Sequence, residues 1–137
     1  MAVTVASIGL SDDEFLSAFH SCELPVSMFR HGDHLRFAWL TLHGHAFHES
    51  VEIVQEGIRS FARHHGVAHL YHETVTTAWV HLLASHQEHT FQEFLTANDF
   101  RLNHLLLQRF WTPQILDSPD ARKHWVPPDK APLPSRI

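Results

Sequence analysis

The chain has little cysteine, little glycine and no long apolar run. Cys22 is the only cysteine among 137 residues, which excludes an intramolecular disulfide and favours a reducing compartment. None of the five glycines belongs to a glycine-rich phosphate-binding motif. No stretch approaches the roughly 18 apolar residues of a membrane-spanning helix, and the first residues lack the basic region of a signal peptide. We therefore expect a cytoplasmic protein with no membrane partner.

Basic residues are also scarce. Ten lysine and arginine residues are outnumbered by fifteen aspartate and glutamate residues, so the formal net charge is −5 with histidine neutral. The basic residues form no run or stripe of the kind that contacts nucleic-acid phosphates. We therefore expect no nucleic-acid partner.

Histidine, by contrast, is abundant, with 15 residues. Random placement of this many histidines predicts about 1.6 pairs with the spacing H-x-x-H. The pairs present are His31/His34, His45/His48, His69/His72 and His86/His89. Because this excess is modest, the surrounding sequence has to distinguish them. His31, His34 and His72 adjoin apolar, helix-forming runs, whereas the second and fourth pairs lie in polar surroundings.

Helix-capping residues and helical periodicity define the first half of the chain. Ser11 and Glu14 form a capping box before apolar residues spaced by four, which predicts a first helix over residues 12–21. Asp33 is the predicted N-cap of a second helix, because the apolar residues that follow it recur every three or four positions.

The second half is helical by the same criteria. An amphipathic pattern predicts a third helix over residues 49–64, and a fourth begins near Tyr71. Capping residues predict shorter helices after Thr90, Thr112-Pro113 and Ser118-Pro119, and a further apolar pattern runs from Phe100 to Phe110.

These patterns predict an all-α protein. No alternating strand pattern or internal repeat occurs, and 137 residues suffice for one domain with its own core. We expect a single compact bundle of five to six helices over residues 11–137, preceded by a flexible N-terminal arm, residues 1–10. The C-terminal prolines predict an extended tail: Pro127, Pro128, Pro132 and Pro134.

A metal site is predicted where the second and fourth helices begin. His31 and His34 share a helix face at i and i+3, and His72 can meet them across the bundle. Three imidazoles suit a divalent transition metal, with Fe, Cu and Zn as the candidates. Glu73 either completes this site or orients an imidazole, and Asp33 is an alternative carboxylate ligand.

The residues around these histidines predict a substrate pocket. Thr76 shares a face with His72, so Thr76 and Glu73 are the candidate catalytic residues. Phe29, Trp39 and Trp79 are expected to wall a dry pocket, and Ala38 to leave room for a small-molecule substrate. Arg36 is a candidate partner for a substrate carboxylate, although surface pairing is the commoner role of a single arginine.

The stretch from Arg30 to Trp39, with its D-H-L-R-F-A-W sequence, resembles a small family of uncharacterised bacterial helical proteins that carry D-H-L-R-x-A-W. The segment Y-H-E-T-V-T, residues 71–76, and the S-P-D-A-R segment, residues 118–122, are similar to the same family. The resemblance implies a helical fold and places His31, His34 and His72 inside the shared motifs. It implies no particular reaction.

Three functions are compatible with this sequence. The first is a mononuclear metal-dependent enzyme acting on a small molecule, oxidative with Fe or Cu and O₂, or hydrolytic with Zn. The second is a histidine-rich protein that binds or stores transition metals without catalysis. The third is a metal-free structural domain. The number of tightly bound metal ions distinguishes them.

Overall fold

The computed structural model describes residues 3–98 and 102–135, and within these ranges the regular structure is helical with no strand. This confirms the all-α prediction. The α-helices of the described residues are α1 (Asp12–His20), α2 (His31–Gly44), α3 (Phe47–His64), α4 (Glu73–Leu83), α5 (Phe91–Asn98), α6 (Pro113–Leu116) and α7 (Pro119–Lys123). Short 3₁₀ helices cover Val26–Met28, Ala68–Leu70 and His104–Arg109. The described helices number seven rather than five or six, because both proline-initiated turns form helices of their own.

Several helix ends form where the sequence predicts them. Ser11 Oγ accepts a hydrogen bond from Glu14 N (3.1 Å), and the Glu14 carboxylate accepts one from Ser11 N (2.9 Å), so the capping box before α1 is confirmed. The side chains of Thr112 and Ser118 cap α6 and α7, each followed by proline. Part of the pattern from Phe100 to Phe110 lies outside the described residues, and its second half is a 3₁₀ helix. None of the described helices has the length and apolar character needed to cross a membrane.

The core joins α1, α2 and α3 through packed aromatic rings. The Phe19 ring on α1 lies 4.2 Å from the ring of Phe37 on α2 and 5.1 Å from that of Phe61 on α3, measured between centroids. Gly57 on α3 permits this approach, since a Cβ there would lie 2.9 Å from the Phe37 ring. These contacts hold α2 and α3 together beside the site described below.

The start of α2 differs from the prediction. Asp33 is the third residue of the helix rather than its N-cap, and Arg30 occupies the cap position. The Asp33 carboxylate accepts hydrogen bonds from the backbone N–H groups of Ala6 (3.0 Å) and Ser7 (2.8 Å), and also from the Ser7 hydroxyl. A fourth bond comes from Arg30 N (2.9 Å). The buried carboxylate therefore joins α2 to the segment predicted as a flexible arm.

Arg36 fastens the same N-terminal segment one turn further along α2. Its guanidinium donates to the carbonyl oxygens of Ser7 (2.6 Å) and Leu10 (2.7 Å) and to the carboxylate of Asp12 (3.0 Å). It also lies over the ring of Phe15, 4.6 Å from the centroid. Because these partners occupy the guanidinium, Arg36 holds the N-terminal segment against α1 and α2.

The segment after α7 lies against α4 and the region before α6. Thr74 Oγ1, on α4, donates to the His124 carbonyl (2.7 Å) and accepts from Val126 N (3.1 Å). The indole N–H of Trp111 donates to the Val126 carbonyl (2.9 Å), and Lys130 N donates to the Phe110 carbonyl (2.9 Å). Three of these bonds join backbone to a side chain, so they fix the path of the chain around residues 124–126.

Candidate functional site

A cavity of about 270 Å³ lies between α2, α3, α4 and the connection before α4. Most of its walls are aliphatic or aromatic, and none of its lining residues is Asp, Glu, Lys or Arg. The lining residues are Val26, Phe29, His31, His34, Ala38, Val54, Ile58, Phe61, Ala62, Val67, Leu70, Tyr71, His72, Val75, Thr76 and Trp79. A concave, mainly apolar space with a few polar groups is the usual form of a small-molecule site.

Helical periodicity explains how the walls are assembled. His31, His34 and Ala38 follow one another at i, i+3 and i+7 on α2, so they share one face of that helix. On α3 the lining positions begin at Val54 and recur four, seven and eight residues later. On α4, Val75 and Trp79 are one turn apart. Each helix therefore presents one face to the same space, and the faces of α3 and α4 are mainly apolar.

His31 and His34 both line the cavity, and each is held by an aromatic neighbour. His31 Nε2 donates to the Leu102 carbonyl (2.6 Å), and its ring meets the Trp79 ring edge-on at 5.0 Å. The His34 ring stacks on Phe29 at 4.1 Å between centroids. The two α2 histidines therefore contact different aromatic residues, and both pairs border the cavity.

His72 lies at the N-terminus of α4 and acts as its N-cap. Its Nδ1 accepts a hydrogen bond from Val75 N (3.1 Å), and its Nε2 donates to the Leu116 carbonyl (2.8 Å). One nitrogen accepts and the other donates, which is the hydrogen-bonding pattern of a neutral imidazole with its proton on Nε2. Burial, aided by the charge of Arg122, lowers the pKa of His72, against smaller opposing effects from the Leu116 carbonyl and Asp117.

The three histidines share a cavity without forming a ready metal site. In residues 3–98 and 102–135, no group of three His, Cys, Asp or Glu side chains is close enough to hold a metal ion. Both nitrogens of His72 are already hydrogen-bonded, so coordination there requires breaking a bond to Val75 or to Leu116. The metal site thus stays a prediction.

The two candidate catalytic residues lie in different places. Thr76 lines the cavity, whereas Glu73 lines a separate surface cleft together with Arg59 and Arg122. The Glu73 carboxylate accepts a hydrogen bond from the Tyr71 hydroxyl (2.5 Å) and lies 3.8 Å from the Arg59 guanidinium. Burial and this carboxylate raise the pKa of Tyr71. Because it follows the N-cap His72 directly, Glu73 is rotated roughly 100° around α4 from the cavity face.

Among the predicted pocket residues, Phe29, Ala38 and Trp79 line the cavity, whereas Trp39 and Arg36 do not. Trp39 is one residue beyond Ala38, and its ring packs against Phe94 at 4.7 Å. It therefore contacts α5 on another face of α2. Arg36 is likewise excluded from the pocket, since its guanidinium is bonded to the N-terminal segment.

The sequence patterns do not identify the cavity residues of α3 or of the connection before α4. Ile58, Phe61 and Ala62 belong to an apolar stripe that predicts core packing, and no local signal distinguishes a cavity wall from a filled core. Val67 and Leu70 lie in the connection, where no periodicity applies. Their role depends on how closely α2, α3 and α4 pack.

One polar group in the cavity wall has an unmet hydrogen bond. The Trp79 side chain is almost fully buried, with 6% of its surface exposed. Its indole nitrogen has no hydrogen-bond acceptor among the described residues. Buried N–H groups without an acceptor are rare in folded proteins.

Comparison of the chain with known protein families, curated proteins and solved structures finds no match.

Proposed function

We propose that this protein binds a small, uncharged, predominantly apolar molecule in the cavity between α2, α3 and α4. The observation that carries the proposal is the cavity itself, about 270 Å³ with no Asp, Glu, Lys or Arg in its walls. An apolar cavity of about 150 Å³ is enough for benzene. A molecule with two fused rings is therefore of suitable size.

The polar groups of the cavity support an uncharged ligand. An ion moved from water into an apolar space loses its hydration and needs a partner of opposite charge. His72 Nδ1 accepts a hydrogen bond from Val75 N, which requires that nitrogen to be unprotonated, and burial lowers the pKa of His72, so it offers no positive charge at neutral pH. With about ten heavy atoms and about 0.5 to 0.8 kcal/mol per atom, the dissociation constant falls at about 1 to 200 μM.

Calorimetric titration with naphthalene tests this proposal. We expect saturable binding of one molecule per chain, and loss of binding in the variant Val75→Phe, whose larger side chain fills part of the cavity. Val51→Phe is the matched control, because Val51 is also partly buried against the core but does not line the cavity. Equal binding by both variants, or no binding by the wild type, would contradict the proposal.

A mononuclear metal-dependent enzyme is the second candidate, because His31, His34 and His72 line one cavity. Fe or Cu would supply oxidative chemistry with O₂ and Zn hydrolytic chemistry, each on the molecule bound there. The chain itself would bind that molecule against Ala38 and Trp79. His72 would have to release one of its two hydrogen bonds to serve as a ligand.

Elemental analysis of protein purified without a histidine tag tests the metal candidate. The metal candidate predicts close to one equivalent of Fe, Cu or Zn after dialysis, lost in His34→Ala and retained when His86 and His89 are both replaced by alanine. Several equivalents, removed equally by either change, would indicate metal storage instead. Metal-free wild-type protein that still binds naphthalene would refute the enzyme and leave the cavity proposal intact.

A further inference from the structure

We infer that a surface cleft between α3, α7 and the start of α4 binds a phosphate group, with Arg59, Arg122 and Lys123 as its cationic partners. This basic cleft is lined by Arg59, Ala68, His69, Tyr71, Glu73, Arg122 and Lys123. Tyr71 also lines the apolar cavity, and it is the only lining residue that the two spaces share. The inference is therefore independent of the proposed function, and either can fail without the other.

The first support is the concentration of positive charge in the basic cleft. The chain has only ten lysine and arginine residues and a formal net charge of −5, yet three of the ten line this cleft. Among the described residues that line it, Glu73 is the only carboxylate, which leaves two positive charges without a counter-charge. Like charges held close together repel one another, so a bound dianion stabilises this arrangement.

The second support is that Arg122 is fixed in the basic cleft without being neutralised. Its Nη1 lies within hydrogen-bond distance of the carbonyl oxygens of His69 (3.2 Å), Leu70 (3.4 Å) and Tyr71 (3.2 Å). Its Nη2 and Nε form no hydrogen bond with the part of the chain that the structure describes. The carbonyls therefore hold the guanidinium in place, while two of its nitrogens stay available to an oxyanion. A guanidinium binds such a group through two parallel hydrogen bonds.

Arg59 and Lys123 also keep the capacity to bind an anion. The Arg59 guanidinium lies over the Tyr71 ring, 5.5 Å from its centroid. It is 3.8 Å from the Glu73 carboxylate and 4.0 Å from that of Glu56, and both distances exceed a hydrogen bond. The Lys123 ammonium forms no ion pair or hydrogen bond within residues 3–98 and 102–135.

Charge and geometry favour phosphate over carboxylate. A phosphate monoester carries close to two negative charges at neutral pH, which matches the two uncompensated positive charges, whereas a carboxylate carries one. Arginine binds phosphate through paired hydrogen bonds, and lysine adds a point charge. The three cations come from α3 and α7, which are far apart in the chain. For this reason they form no basic run in the sequence.

Nuclear magnetic resonance titration of the intact chain with inorganic phosphate tests the inference. The titration is made at about pH 7.5, where histidine is mostly neutral, and sodium chloride is titrated separately to the same ionic strength. We expect saturable shifts of the backbone amide signals of residues 69–71 and 122–123 with phosphate but not with chloride. Shifts that do not saturate, or that chloride reproduces, would overturn the inference.

Glutamine variants identify the cations. We expect the dissociation constant for phosphate to rise about 10-fold in Arg122→Gln and about 3-fold in Lys123→Gln. Arg109→Gln is the matched control, since it removes the same charge from an exposed residue outside the basic cleft, and it should bind phosphate as the wild type does. Lys123→Gln breaks no contact within the described residues, so it covers the case in which Arg122→Gln does not fold. Equal affinity in Lys123→Gln and Arg109→Gln would refute the site.

Glycerol phosphate distinguishes the free ion from an ester. If it binds at least as tightly as inorganic phosphate, the basic cleft is a site for small phosphate monoesters. If only inorganic phosphate binds, the same cations serve a site for the free ion. Binding of neither probe would overturn the inference, and it would leave the binding of naphthalene in the apolar cavity as a separate question.

Discussion

Replacement of Asp33 by asparagine tests how the N-terminal segment is held on α2. The Asp33 side chain is fully buried, with 0% of its surface exposed. One carboxylate oxygen accepts from the N–H and hydroxyl of Ser7, and the other accepts from Ala6 N and Arg30 N. Asparagine has the same shape but replaces one oxygen with an NH₂ group, which then faces at least two donors.

The expected cost follows from the bonds that asparagine cannot make. Two hydrogen bonds to a charged acceptor are lost, at about 1.5 to 3 kcal/mol each, and part of this is offset because a charge no longer has to be buried. We therefore expect Asp33→Asn to lower the free energy of unfolding by about 3 to 5 kcal/mol. For a domain of this size the melting temperature should fall by about 10 to 20 °C.

Thermal and urea unfolding followed by circular dichroism measure this change. Asp12→Asn is the matched control, because Asp12 also bonds to α2 through Arg36 (3.0 Å) but is 63% exposed on its side chain. Exposed ion pairs contribute about 1 kcal/mol or less. If Asp33→Asn unfolds within about 1 kcal/mol of Asp12→Asn, the buried carboxylate does not hold the segment as described.

Three further changes have defined outcomes. Burial lowers the pKa of His72, so as the pH falls this histidine is protonated first in the unfolded chain. The free energy of unfolding should therefore decrease as the pH drops below about 6.5. Thermal melts at several pH values should show a weaker dependence in His72→Asn, which keeps a good N-cap residue. Gly32→Ala places a Cβ 2.2 Å from the Thr4 carbonyl oxygen and should cost about 1 to 3 kcal/mol, whereas Gly44→Ala, with open space around it, should not. Thr74→Val should cost about 1 to 3 kcal/mol and speed proteolysis of the C-terminal segment, and unchanged cleavage would refute its role there.

Features set by neighbouring residues could be predicted from the sequence. The capping box of Ser11 and Glu14 needs residues only three positions apart, and Thr112 and Ser118 cap helices whose first residue is the next proline. The helical faces of α2 and α4 also follow from spacing alone. For this reason the all-α fold and the presence of His31, among others, on an inward face could be inferred without coordinates.

Features that depend on distant residues could not be predicted from the sequence. Asp33 looks like an N-cap in the local sequence, but its carboxylate binds backbone groups 26 and 27 residues earlier. Arg36 likewise binds carbonyls of the N-terminal segment, and a lone arginine gives no indication of such partners. His72 donates to the Leu116 carbonyl, 44 residues later. The hydrogen bond of its second ring nitrogen therefore depends on where α6 packs.

The cavity is the feature least accessible to sequence reasoning. Helical spacing places Ala38 one turn beyond His34, and Phe29 and Trp79 could be expected as walls beside them, but the size of the space depends on α3 as well. The residues that α3 contributes are ordinary core residues by pattern. Whether they leave a cavity of about 270 Å³ is a result of packing between three helices, which no single segment encodes.

The central claim is that this cavity receives a small apolar molecule, and intermolecular nuclear Overhauser effects with naphthalene test it most directly. We predict effects from naphthalene protons to the methyl groups of Val54, Ile58 and Val75, which line the cavity on two helices. Effects confined to exposed side chains such as Ile8 and Leu105, with none to those three residues, would show adsorption at the surface and contradict the account.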